Sequence, residues 1–154
     1  MKTTLLIIVL FITLSCSKSD DDNVATPTPI TPVVIIKGLD GIDFNTLTSY
    51  FNSFTNANDW ATFASTYVSN LNINPNIDFS KFDVVVCVDS LRTQGGYDIA
   101  INSIIENEQN IVVTVQNVVN GNASLIPTRP FIIAEIPKTN KPIAIHWNPP
   151  TTNK

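Results

Sequence analysis

The stretch of this chain that most constrains its fold is Phe82-Asp-Val-Val-Val-Cys-Val-Asp89, where Val84 to Val88 are apolar without interruption. Successive side chains of a strand point to opposite faces, so a run without alternation needs apolar cover on both. The run therefore reads as a central strand with two buried faces. Cys87 lies inside it and reads as a small core residue, not a nucleophile.

The other segments are short, and most have a period of two. VVIIKGL from Val33 is a strand candidate. In LTSYFNSF, Leu47, Ser49, Phe51 and Ser53 alternate with Thr48, Tyr50, Asn52 and Phe54. After the central strand come GGYDIAINSIIEN, NIVVTVQNVV, RPFIIAEIPK and KPIAIHW, separated by the turn-forming segments NEQN, NGNASLIPT and KTN. Tyr97, Ile99 and Ile101 share one face of the first of these, and Ile111, Val113 and Val115 share one face of the second. One segment has a helical period: Trp60, Phe63, Ala64, Tyr67 and Leu71 fall at i, i+3, i+4, i+7 and i+11, with Asn56 and Asp59 placed to cap the start. Short strands at regular spacing predict a mainly β fold, an antiparallel sandwich or small barrel of about seven strands with one covering α-helix.

The chain has five glycines, and two of them, Gly95 and Gly96, stand together before Tyr97. Adjacent glycines at a strand entrance permit positive φ and suit a bulge or tight entry turn. Tyr97 then packs its ring while its hydroxyl seeks a partner.

The first residues follow a different logic. Lys2 is followed by the apolar run Leu5 to Leu14, too short to span about 30 Å of hydrocarbon, and then by Ser15 and Cys16. This reads as a secretory signal over residues 1–15. The order of charge, apolar core, small residue and cysteine resembles the lipobox of bacterial lipoproteins, although Thr13 stands where leucine is usual. The resemblance implies cleavage before Cys16 and lipid attachment to it. Residues 16–32 contain SKSDDDN and a Pro-Thr stretch with Pro27, Pro29 and Pro32, which reads as an extended spacer ahead of a domain at residues 33–150. The acidic run resembles export signals that carry lipoproteins to the outer face of some Gram-negative outer membranes. With Cys16 acylated, Cys87 is left without a disulfide partner. A net charge of −4 and only nine Lys and Arg argue against nucleic acid, and leave covalent lipid as the expected route to the membrane.

From NANDWATF through NIDFSKFDVVVCVDS, TQGGYDIAINSI and NIVVTVQN to RPFIIAEIPKTNKPI, the order of segments resembles the PrcB C-terminal domain family of bacterial lipoproteins. The matching positions are Gly95, Gly96 and Tyr97, then Pro130, then Ile136, Pro137 and Lys138; the match runs from about Asp59 to Trp147. Thr93 and Gln94 stand where many relatives carry a further Thr or Ser before the glycines. The resemblance implies an exported accessory or binding module, associated with a protease without being one.

The residues suggest no reaction centre. His146 is the sole histidine and sits at a strand end. Asp40, Asp43, Asp83, Asp89, Asp98 and Glu135 are carboxylates that folding could bring together, but Asp83 and Asp89 flank a strand and read as its solvated ends. The acids lack calcium-loop spacing, so no metal and no cofactor are expected. Asp89-Ser90-Leu91 resembles an acceptor for periplasmic O-glycosylation. The expectation is a non-enzymatic lipoprotein, outer-membrane anchored and surface-facing, that binds a protease or other surface protein through a loop of Arg92, Gln94, Gly95, Gly96 and Tyr97. The alternative is a protease inhibitor that uses the Gly-Gly-Tyr loop, which loosely resembles the loop of chagasin-type inhibitors.

Overall fold

The computed structural model describes residues 26–42, 48–71, 73, 76–120 and 125–152, with side chains at 149–152 left out. Cys16, Leu47 and Asp43 lie outside these residues.

Among the described residues eight strands and one helix follow in order: β1 (Thr28–Pro29), β2 (Val33–Gly38), β3 (Tyr50–Phe54), α1 (Ala57–Tyr67), β4 (Phe82–Val88), β5 (Tyr97–Glu106), β6 (Ile111–Val119), β7 (Phe131–Pro137) and β8 (Ile143–Thr152). They form two four-stranded sheets, β1-β5-β6-β8 and β2-β7-β4-β3. The fold is thus a mainly β sandwich with a single helix among the described residues.

The apolar run of β4 is explained by a third layer. β4 and β7 are the inner strands of their sheet. Val84, Val86 and Val88 of β4, with Phe131 and Ile133 of β7, pack against Phe54 and against Trp60 and Phe63 of α1. The alternate residues Val85, Cys87, Ile132, Ala134 and Ile136 pack on Ile99, Ile104, Ile111, Val113 and Val115 of the other sheet. One sheet therefore lies between a helix and a second sheet, and its inner strands carry apolar residues at both parities because each face meets a different layer.

The helix begins where its cap predicts. The Asn56 side chain accepts from Asp59 N at 2.9 Å and donates to Asp59 Oδ2 at 2.7 Å. Capping of this kind is worth about 1 kcal/mol. The helix ends at Tyr67, so Leu71 packs beside the core from the following turn and not from the helical face assigned to it. The aromatic stripe is continuous: Phe63 lies 4.8 Å from Phe54, 5.8 Å from Trp60 and 5.3 Å from Tyr67, ring centre to ring centre.

The structure adds two particulars to the expected fold. The domain reaches back past Val33: Thr28 and Pro29 pair with Glu106 and Ile105, Ile30 N donates to Ile104 O at 2.8 Å, and the Ile30 side chain joins the core between the sheets. The end of the spacer is thus part of the fold. The pairing is also not wholly antiparallel, since β6 and β8 run parallel. After β6 the chain crosses to the other sheet as β7 and returns as β8, and two reversals leave β8 pointing along β6.

β5 carries a bulge at Asn102, between the Ile101↔Val115 and Ser103↔Thr114 pairs. The extra residue switches the inward parity from Ile99 and Ile101 to Ile104, which is buried.

Candidate functional site

The residues singled out in the sequence meet at one end of the sandwich, where the β2–β3, β4–β5 and β6–β7 connections lie together. Backbone bonds lace these loops. Arg92 N donates to Thr128 O at 2.8 Å and Thr128 N to Arg92 O at 3.0 Å. Arg129 N donates to Leu39 O, and Asn120 N to Gly96 O, both at 2.7 Å.

Beneath the laced loops is a charged clasp. Arg92 Nε donates to Asp89 Oδ2 at 2.7 Å and Arg92 Nη2 to Asp89 Oδ1 at 3.0 Å, a two-pronged pair. Ser90 N and Asn117 Nδ2 also donate to Asp89 Oδ1, at 2.8 and 3.2 Å. The guanidinium carbon lies 4.9 Å from the centre of the Tyr97 ring, within cation–π range. Asp89 is 2 % exposed, so the carboxylate is compensated by these donors and not by water.

This arrangement corrects two sequence-based expectations. Asp83 and Asp89 are not solvated strand ends. Asp83 is fully buried, with Lys138 Nζ at 2.8 Å from its Oδ1 and Thr139 N at 3.0 Å from its Oδ2, while Asp89 is held by Arg92. Nor does Arg92 stand free in a polar turn, because its side chain is taken up by Asp89 and Tyr97. In the rest of the candidate loop, Gln94 is exposed, Gly95 is buried, and Gly96 has φ of 86° immediately before β5. The glycine pair is a tight entry turn in which only Gly96 needs the left-handed region.

Sequence reasoning missed Asn117 and Thr128. Asn117 follows Val113 and Val115 at the inward parity of β6, and a polar residue in that position was the available signal. Its Oδ1 and the Thr128 hydroxyl are buried without a hydrogen-bond partner in the structure.

Two other carboxylates among the described residues are each taken up by a lysine. Asp98 pairs with Lys37 at 2.7 Å and Glu106 with Lys141 at 2.8 Å. No group of three metal-ligating side chains occurs among the described residues. His146 is exposed on β8. Burial pushes the Cys87 thiol up to about 12, so at neutral pH it is a protonated core group. Ser90, the hydroxyl of the Asp-Ser-Leu tripeptide, is half-buried beside Asp89.

The same end exposes apolar side chains. Leu125 is 91 % and Ile126 70 % exposed in the β6–β7 loop, and Leu39 and Leu91 stand out from the neighbouring loops. The chain enters the fold at the opposite end, where Thr28 pairs with Glu106 beside the turn at residues 107–110. β5 alone, ten residues long, separates the two ends by about 30 Å.

Comparison with protein-family models, with curated proteins and with solved structures finds no match to this chain.

Proposed function

We propose that this chain is a lipoprotein anchored through Cys16 at the outer membrane, facing the cell surface, and that its PrcB-like domain is a non-catalytic binding or assembly module for a protease or another surface protein. The carrying observation is the polarity of the domain. The spacer joins it at one end, and laced loops with exposed Leu39, Leu91, Leu125 and Ile126 lie at the other. A tether at one end of a sandwich leaves the opposite loops clear of the membrane, and exposed loop tips with apolar side chains are suited to protein contact. Contact falls on these tips and on exposed Gln94, because Arg92 and Tyr97 serve the clasp beneath them and Gly95 is buried.

The test is crosslinking capture from intact cells that produce the full chain. Leu125→Asp with Ile126→Asp alters side chains already in water, so the variant keeps its fold and loses the captured protein. Undiminished capture by the folded variant would remove the loops from the contact surface.

A further inference from the structure

The free strand edges of this fold are treated unequally. A bare edge offers unpaired N–H and C=O groups to any other strand, and proteins blunt such edges with bulges, charges or prolines. Three edges here carry such devices. β2 is irregular between Val34 and Ile36. On β3, the Asn52 side chain accepts from Ser53 N at 2.9 Å. β1 covers β5 at Glu106 and Ile105, and further along β5 Asp98 Oδ1 accepts from Ile99 N at 2.8 Å while Oδ2 holds Lys37.

β8 differs over Ile143 to Asn148, although a register shift and Pro149 and Pro150 lie further along it. From Ile111↔Ile143 to Gln116↔Asn148 it pairs with β6 without a shift, and among the described residues its other side is the end of the sheet. Between Pro142 and Pro149 it has no acid, lysine, arginine or proline, and no side-chain hydrogen bond falls on Ile143 to Asn148 among the described residues. Ile143, Ile145 and Trp147 turn inward and are half-buried, sharing the core edge with Phe51 of β3.

We propose that the β8 edges of two copies of this chain pair antiparallel about a two-fold axis that is perpendicular to the sheet and midway between their Ile145 residues. In an antiparallel pair, residues opposite each other must share a face, so a self-pairing strand keeps its inside and outside only when the axis lies between two copies of the same residue. With the axis there, Ile145 meets its own copy, Ile143 meets the second copy's Trp147, and Ala144 meets the second copy's His146. The inward pairs extend the apolar core across the junction, and the outward pair sets a small side chain against a ring. No residue of full charge faces another. The two-fold axis consumes both β8 edges and leaves only the blunted ones, so the assembly closes as a dimer and does not grow into a filament.

Pro142, Pro149 and Pro150 confine the contact to a short stretch, well below the area of about 1,200–2,000 Å² that stable interfaces bury. Pairing is therefore weak in dilute solution and is favoured when both copies share one membrane, which raises their effective concentration. This last point rests on the anchoring proposed above; the pairing itself does not.

The experiment uses the full chain in the envelope of producing cells, oxidised and run on non-reducing gels, with the parent chain as baseline. Opposed Cβ atoms in a strand pair are about 4.5–5.5 Å apart, close enough for a disulfide after a small adjustment. Ile145→Cys gives a band at twice the chain mass and Asn148→Cys gives none. Adding Ala144→Lys, at an exposed position, to the Ile145→Cys variant abolishes its dimer band and leaves Cys87 protected from labelling. Should Ile145→Cys expose Cys87 and so report unfolding, the double variant Ala144→Cys, His146→Cys takes its place, since both positions are exposed and each single variant lacks the opposed cysteine. Absence of the dimer in folded protein, an equal band from Asn148→Cys, indifference to Ala144→Lys, or a product of another mass would each overturn the two-fold pairing. Membrane fractionation of the same samples reports anchoring separately.

Discussion

Arg92→Ala is the sharpest test of the clasp that organises the loop end. It removes both donors at 2.7 and 3.0 Å from Asp89 and the cation over Tyr97, and leaves a carboxylate 2 % exposed with only Ser90 and Asn117 to compensate it. Stripping one partner from a buried ion pair costs about 3–5 kcal/mol, chiefly because the remaining charge stays buried. Arg92 is itself about a quarter exposed, so the lower half of that range applies. Domains of this kind have total stabilities of about 5–15 kcal/mol, so a loss near 3 kcal/mol lowers the melting temperature by roughly 10 °C or more. Urea unfolding followed by far-ultraviolet circular dichroism measures the difference directly, provided the denaturant slope is unchanged. Asp89→Asn combined with Arg92→Gln should cost less than Arg92→Ala alone, because no lone charge remains. A cost below about 1 kcal/mol for Arg92→Ala, or a double variant worse than the single, would show that the clasp is not a desolvated pair.

Further outcomes are expected at three residues. Gly96→Val forces a β-branched side chain into a φ of 86° and should destabilise by about 1–3 kcal/mol in the same assay. Cys87 should resist alkylation in native buffer and react after unfolding. Its thiol is raised from 9.0 to about 12, so the stability it contributes is intact below pH 9 and is lost as pH rises toward 12, by up to about 4 kcal/mol relative to Cys87→Ala, read by unfolding both proteins across that range. Cys16→Ser should release the chain from membranes or stall its processing, and a parent protein without an acyl adduct in mass spectrometry would refute the anchor.

Local sequence determined the parts of this fold that depend on near neighbours. Asn56 and Asp59 cap α1 through contacts three residues apart, Gly96 supplies an angle other residues resist, and the period of each strand is fixed by covalent geometry. The unbroken run in β4 even announced that both of its faces would be covered. Only the tertiary structure decided by what: a helix layer over Val84, Val86 and Val88, and a second sheet over Val85 and Cys87. Asp89 shows the limit most clearly. An acid at a strand end reads as solvated until Asn117, 28 residues away, is brought beside it and the lacing of Arg92 to Thr128 closes over it. The parallel course of β8 was equally invisible, because strand direction across two sheets depends on where the chain crosses, and crossing is set by the whole packing and not by any segment's own residues.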